Sequence, residues 1–182
     1  MILPNHLETK RLILRPFRRD DFRVFSNLLK DPEVSENLKF VLKTEIEQNI
    51  KNLFQSVITF QNTSEAIYAL VITHKETSDS IGSCGLIYLE ENNETICFYS
   101  LLPRYRGHGF AIEAMKKLIE YAFLKLNLSK LTIYINPKNK HSWKVAERTG
   151  MKYLGQVELS NISSKAMIFS IEKREFKAQQ LY

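Results

Sequence analysis

Leu101–Phe123, LLPRYRGHGFAIEAMKKLIEYAF, decides how the rest of the chain is read. A strand end runs into Pro103, then a basic loop punctuated by Gly107 and Gly109, then a helix. The helix is legible from spacing alone. Ala111, Ala114, Met115, Leu118 and Ala122, with Ile112, Ile119 and Phe123, form an apolar stripe at three- and four-residue intervals. Glu113, Lys116, Lys117 and Glu120 fall on the solvent side, and Glu113 precedes Lys117 by one turn in the favourable order for an ion pair. The loop suits an anion. Glycine permits positive φ and close backbone approach, while the first N–H groups of a helix lack partners and lie at the positive end of its dipole. Two phosphate loops are excluded. Ile112 stands where a dinucleotide fingerprint needs its third glycine, and no Gly-Lys-Ser/Thr follows. By spacing alone, a basic turn that merely caps a helix is an equal reading.

Working outward, the composition bounds the answer. The chain has 182 residues, 44% apolar and 25% charged, which fits one soluble domain spanning 1–182 with a sizeable core. No apolar run is long enough for a membrane span, and the N-terminus does not read as a signal peptide. Cys84 and Cys97 lie in strand-like segments and read as small core residues with free thiols, as expected in a reducing cytosol. The histidines and cysteines have no ligand spacing, so no metal site is expected. The net charge of +6 suits a polyanionic ligand or an acidic substrate. The basic residues form no arginine-rich tract or basic–aromatic motif, so no nucleic-acid partner is expected.

Taken in order, Leu7–Arg15 alternates as a strand. Asp20 and Asp21 start a helix carrying Phe22, Phe25, Leu28 and Leu29, which Asp31-Pro32 breaks. Thr44 and Glu47 form a capping box before a second helix with Ile50, Leu53, Phe54 and Val57. Ala66–Thr73, Ile81–Glu90 and Glu94–Leu102 form a meander of antiparallel strands, Gly82 and Gly85 allowing close packing. After the long helix, Leu131–Ile135 is a strand, and a strand–helix–strand unit of this length implies a parallel crossover and so a mixed sheet. Ser142–Arg148 is a short helix stopped by Gly150. Met151–Leu159 and Lys165–Ile171 close a hairpin, and the last ten residues are a short helix or a frayed end.

The sequence resembles the GCN5-related N-acetyltransferase (GNAT) superfamily in three segments. Arg106–Ala111, RGHGFA, is similar to the R/Q-x-x-G-x-G/A motif. Leu7–Phe17, LETKRLILRPF, resembles the opening strand of the RimJ/RimL-type branch, the acetylases of ribosomal-protein N-termini. Pro137–Met151, PKNKHSWKVAERTGM, resembles that branch's P-x-N-x-x-S-x-x-V-x-E-x-x-G-F segment, with Met151 in place of the aromatic. The resemblance implies an α/β (α+β) fold: a mixed, strongly twisted sheet of about seven strands flanked by about four helices. It implies a splay between the fourth and fifth strands, with acetyl-coenzyme A in the opening. The cofactor residues it implies are the main chain of Ser100, Leu101 and Leu102 for the pantetheine arm, then Arg106, Gly107, His108, Gly109, Phe110 and Ala111 for the pyrophosphate. Arg106 and Arg104 add charge, Asn139 and Ser142 lie along the arm, and Lys144 can reach a phosphate.

The expected catalytic groups are Ser142, Glu94 and Tyr99. Many relatives carry a tyrosine acid where this chain has Ala146, and Ser142 matches the serine that the RimJ/RimL branch places near the departing thiolate. A serine is a weak acid, so hydrogen bonding to sulfur or a water relay is its physical role, and helix capping is the alternative. The branch's strand glutamate falls on Ile96, which accepts no proton. Glu94, two residues earlier, shares its strand face and reads either as a substitute base through water or as an exposed turn residue. Tyr99, Tyr134 and His141 are further polar candidates near the cleft.

The leading expectation is direct acetyl transfer from acetyl-coenzyme A to an amine, a protein or peptide N-terminal α-amine, with a ribosomal protein among the partners. A small amine such as a polyamine or aminoglycoside is the alternative acceptor. A catalytically weak acyl-coenzyme A-binding module, and a basic RNA-binding module, are readings of other classes. Oligomeric state, a homodimer included, is open.

Overall fold

A computed structural model of the chain describes residues 5–35, 50–59, 67–159 and 164–179. In order these form β1 (Leu7–Glu8), β2 (Leu12–Pro16), α1 (Phe22–Lys30), α2 (Ile50–Thr59), β3 (Ile67–His74), β4 (Ser80–Leu89), β5 (Glu94–Leu101), α3 (Phe110–Leu124), β6 (Lys130–Ile135), α4 (Lys140–Arg148), β7 (Lys152–Leu159), β8 (Ser164–Glu172) and α5 (Lys173–Gln179). A helical turn follows α1 at 32–35. The sheet order is β1-β2-β3-β4-β5-β6-β8-β7. Every neighbouring pair is antiparallel except β5–β6. The mixed α/β sheet is therefore as expected, with one more strand, because the opening strand breaks in two. Thr9 turns the chain there: its N–H donates to the Leu12 carbonyl, and its hydroxyl accepts from the Leu12 N–H. The capping box at Thr44 and Glu47 lies outside the described residues.

The strands carry apolar residues on both faces because helices cover both. On β3, Tyr68, Leu70 and Ile72 join a core shared with Met115, Leu118, Ile119, Ala122 and Phe123 of α3. Ala69 and Val71, pointing the other way, join a second core built by α1 and α2. That alternation follows from the two-residue period of a strand. In the second core Phe17, Phe22, Phe25 and Phe54 pack with ring centroids 5.0 to 6.1 Å apart. Gly85 is required where β3 and β5 press on β4. A Cβ there would lie 2.1 Å from the Tyr68 carbonyl oxygen and 2.6 Å from the Phe98 ring.

β5 and β6 meet at a single register pair, Ile96 with Thr132. Beyond it the strands part, and this is the splay expected between the fourth and fifth strands of the sequence reading. β5 remains fully paired to β4 on its other edge, as far as Leu101 with Gly82.

Two local expectations are corrected. Glu113 makes no pair with Lys117. Its carboxylate instead accepts from the Thr9 hydroxyl (2.6 Å), the Arg11 N–H (2.8 Å) and Arg11 Nε (2.7 Å), while Lys117 pairs with Glu120. Three donors held in place by a turn outcompete one solvated ammonium. The helix expected to begin at Ser142 begins at Lys140, because Asn139 is its cap and accepts the Ser142 N–H.

Asp21 is the most enclosed carboxylate with a described ion pair. It receives both Arg15 guanidinium nitrogens (2.7 and 3.0 Å) and the Arg18 N–H (2.7 Å), and so ties β2 to the start of α1. Burial raises its pKa, but the Arg15 and Arg18 hydrogen bonds and the Arg15 charge together outweigh it, so the net shift is downward. A depressed carboxylate pKa stabilises the fold above the unfolded value of about 3.9, and that contribution disappears as pH falls through the folded pKa. Asp21→Asn is expected to cost ~3 kcal/mol of unfolding free energy at pH 7. In urea titrations the gap between the two proteins should narrow as pH falls below about 4.

Candidate active site

The splay opens a cleft of about 630 Å³ that runs through the molecule from α1 and α2 to the loop before α3. Its loop end is built from residues 106–112. Gly107 and Gly109 have φ of 81° and 79°, a region closed to most side chains. A Cβ on Gly107 would meet nothing within 4 Å, so backbone conformation and not crowding demands the glycine. Gly109 is the N-cap of α3 and no side chain caps that helix. The first turn thus presents main-chain N–H groups and a helix dipole to the cleft. These features fit an anion the size of a diphosphate.

The loop is braced from both sides. Arg11 lies over the Phe110 ring at 4.4 Å and donates to the His108 carbonyl at 3.1 Å. Arg106 points the other way. Its guanidinium bonds Asp31 and Glu33 at 2.7 Å each and the Leu101 carbonyl at 3.1 Å. Its charge is thereby matched by two carboxylates beyond α1, which differs from the expected role of free positive charge for phosphate. His108 is exposed, its Nδ1 lying 2.8 Å from the Arg106 carbonyl oxygen. Among the described residues that line the cleft, Lys144 and Arg148 are the cations without an ion pair. They lie one turn apart on α4.

The parted edge of β5 supplies the next part of the site. The Leu102 N–H donates to Ile81 of the neighbouring segment. An antiparallel ladder alternates, so the main-chain groups of Tyr99 and Leu101 point the other way, into the opening. Of the expected trio Ser100, Leu101 and Leu102, only Leu101 faces the cleft through its backbone, and its carbonyl is taken by Arg106. The Tyr99 main chain, outside that trio, faces the cleft as well. An extended chain bearing amides can hydrogen-bond to such an edge.

Tyr99 also reaches Ser142. Its hydroxyl lies 2.6 Å from the Ser142 carbonyl oxygen, to which it donates, and 2.7 Å from Ser142 Oγ. Asn139 Oδ1 holds the Ser142 N–H at 2.9 Å. The three residues form one cluster where β5 meets α4. Burial pushes the Tyr99 phenol well above its usual range, and the bond to Ser142 opposes this only in part. The Tyr99 phenol is therefore neutral at physiological pH.

Glu94 is not part of that cluster. It lies at the beginning of β5, outside the lining of the main cleft, and accepts a hydrogen bond from the Tyr134 hydroxyl at 2.9 Å. Tyr134 does line the main cleft. Burial first, and the bond to Glu94 second, push the Tyr134 phenol up to about 12. Cys84 and Cys97 are buried and unbridged in the core. Burial raises both thiols, Cys97 to about 12, so neither is a ready nucleophile. Among the described residues no cluster suits a metal ion, and no helix is long and apolar enough to cross a membrane.

Asp31, Glu33 and Arg11 carry no local signal that marks them as parts of the site, because each acts on residues more than seventy positions away.

Known proteins share this fold. The model of the acetyltransferase (GNAT) domain family matches residues 11–152. An uncharacterized N-acetyltransferase of Bacillus licheniformis, p20, is 30% identical over 175 residues, covering 93% of this chain and 97% of its own. YdaF of Bacillus subtilis, provisionally assigned as a ribosomal N-acetyltransferase, is 28% identical over 105 residues, 53% of this chain and 57% of its own. A mutant of the spermidine N-acetyltransferase SpeG of Vibrio cholerae superposes with a TM-score of 0.74 at 18% identity, over 94% of this chain and 99% of that one. Such a likeness shows the fold. The chain belongs to the GNAT acetyltransferase family, and it is an acyltransferase that takes its acetyl group from acetyl-coenzyme A.

Proposed function

We propose that the acceptor is the N-terminal α-amine of a protein or peptide, acetylated in the cytosol by a single-domain enzyme of RimJ/RimL type. The observation that carries this reading is the acceptor side of the cleft. Its wall is made by apolar side chains, among them Phe25, Leu29, Val57, Ile87 and Phe98. Among the described lining residues Glu33 is the sole carboxylate, and it is in an ion pair with Arg106. A polyamine would bury several ammonium groups there without partners, at a large desolvation cost. A peptide brings one amine, backbone groups and an apolar side chain. Its α-amine, with a pKa of about 8, also parts with its proton more readily than a lysine at about 10.4. A ribosomal protein is one source of such an N-terminus.

Acetyl-coenzyme A, when bound, supplies the acetyl group as a thioester and departs as a thiol. The residues of the chain do the rest by holding and orienting. The 106–112 loop holds the diphosphate through main-chain N–H groups, with Lys144 and Arg148 adding charge. The Tyr99 and Leu101 backbone aligns the arm, and an N–H at this edge can face the developing oxyanion. Tyr99 gives its proton to the Ser142 carbonyl, so the Ser142 hydroxyl is the donor between the two oxygens and can turn its proton from Tyr99 Oη to the leaving sulfur. A serine hydroxyl is not acidic enough to give up a proton outright, so Ser142 passes one to sulfur as it takes one that leaves the attacking nitrogen, with Tyr99 holding it in place. Positioning supplies much of the remaining acceleration.

Three outcomes test this. Calorimetric titration should show micromolar binding of acetyl-coenzyme A, weakened at least ~10-fold in Gly109→Trp, whose side chain would sit at a disfavoured positive φ. Unchanged affinity in the variant would move the diphosphate elsewhere. In an acceptor screen, N-terminal peptides should turn over and spermidine should not; efficient spermidine acetylation would overturn the peptide reading. Ser142→Ala and Tyr99→Phe should each lower kcat by ~10²-fold, and the double variant should lose no more than either single one, because the pair acts as a unit.

A further inference from the structure

Acetylation of a peptide amine requires that an ammonium lose its proton before nitrogen can attack. Ile96 is buried hydrocarbon and cannot take it. Glu94 is placed behind the cleft, not in it. The side chain that reaches both places is Tyr134. It lines the main cleft from β6, and its hydroxyl donates to Glu94 Oε2 at 2.9 Å. A phenol has one proton to donate and two lone pairs with which to accept. With its proton directed at Glu94, the Tyr134 oxygen can accept from an ammonium in the cleft.

Glu94 in turn borders a second cavity, of about 670 Å³, whose lining includes Tyr68, Tyr88, Asn93, Lys130 and Thr132. Tyr134, Lys130, Tyr68 and Tyr88 are the titratable described groups around this carboxylate, contributed by β6, β3 and β4. The cavity lining mixes polar and apolar groups, and its polar side chains, Tyr88, Asn93, Glu94 and Lys130 among them, are partners for water. A polar path therefore leads from the acceptor side of the cleft, through Tyr134 and Glu94, to solvent.

We propose, given a peptide amine as acceptor at this site, that Tyr134 is a catalytic residue that passes the proton of the acceptor ammonium to Glu94, and that the second cavity is the proton's exit. The ammonium N–H proton moves to Tyr134 Oη as the phenolic proton moves to Glu94 Oε2. The products of this step are a neutral amine, an unchanged neutral tyrosine and a protonated Glu94. The amine then attacks the thioester carbon. A C–N bond forms, the C–S bond breaks, and the second nitrogen proton goes to the sulfur through the Ser142 hydroxyl. Glu94 returns its proton to water in the cavity. No tyrosinate forms, which agrees with a phenol held neutral at physiological pH.

The test is steady-state kinetics on the full chain between pH 6 and 10, with acetyl-coenzyme A and an acceptor peptide, for wild type, Tyr134→Phe and Glu94→Gln. Both substitutions preserve shape, and titration with acetyl-coenzyme A checks that each variant is folded and binds the donor. At pH 7 each variant should lose about 10²-fold in kcat/KM for the peptide, the usual scale of general-base assistance. Donor affinity should not change. The deficit should close above pH 9, where an amine of pKa about 8 is already neutral. A wild-type rate in either variant at pH 7 would overturn the relay while leaving the acetyltransferase reading intact. A deficit of the same size at every pH would also overturn it, since that marks packing and not proton transfer. If wild-type protein binds the donor but acetylates no peptide, the peptide reading fails and the relay with it.

Discussion

The site depends on the place where β5 and β6 stop pairing. The two strands share one register pair, Ile96 with Thr132, and then diverge while β5 stays fully bonded to β4. Unpaired main-chain groups inside a protein are costly. A sheet that parts in its middle therefore needs a reason to stay open and something to fill the gap. The packing supplies the first. α3 holds the loop side through Phe110, Ala114 and Leu118, and α4 wedges Ala146 into the same core. An extended ligand that carries amides of its own would supply the second. The same divergence lets Tyr99 reach Ser142 and leaves Tyr134 lining the main cleft while it bonds Glu94.

Charge is arranged around this opening by internal pairing more than by net balance. The anion loop is basic in sequence, yet Arg106 is matched by Asp31 and Glu33, and Arg11 by Glu113. Both arginines act as struts that fix the loop. What remains for an anion is the uncapped first turn of α3, with Lys144 and Arg148 on the opposite wall. Main-chain donors fixed by glycine at positive φ need no reorganisation when a ligand arrives, whereas a mobile guanidinium does. Arg106 also joins the loop to the turn after α1. The loop end and the α1 end of the cleft are thus tied together through one guanidinium.

The acceptor end is quieter in sequence. Phe25, Leu28 and Leu29 repeat at helical spacing and read simply as core. In the structure they belong to the second core and also wall the cleft, since one helix face can do both where the sheet beside it is open. Two carboxylates lie near this end in different situations, one in the cleft lining and one behind it. Glu33 balances Arg106, and Glu94 holds a tyrosine.

Local periodicity and backbone chemistry determined the element order, the glycine loop, the long helix and the mixed sheet. Each follows from residues within a few positions of one another: the stripe from Ala111 to Phe123, the two glycines, the β-rich run of β3 and the alternation of β6. Side-chain partnerships were decided only by the tertiary structure. Tyr99 meets Ser142 across 43 positions, Tyr134 meets Glu94 across 40, and Arg106 meets Asp31 across 75. Within the chain's own short-range pattern, Glu113 had a plausible partner in Lys117, and the turn at Thr9–Arg11 displaced it. A charged or hydroxyl side chain takes the partner that folding brings within hydrogen-bond reach, and sequence spacing specifies that distance only within a single helix or turn.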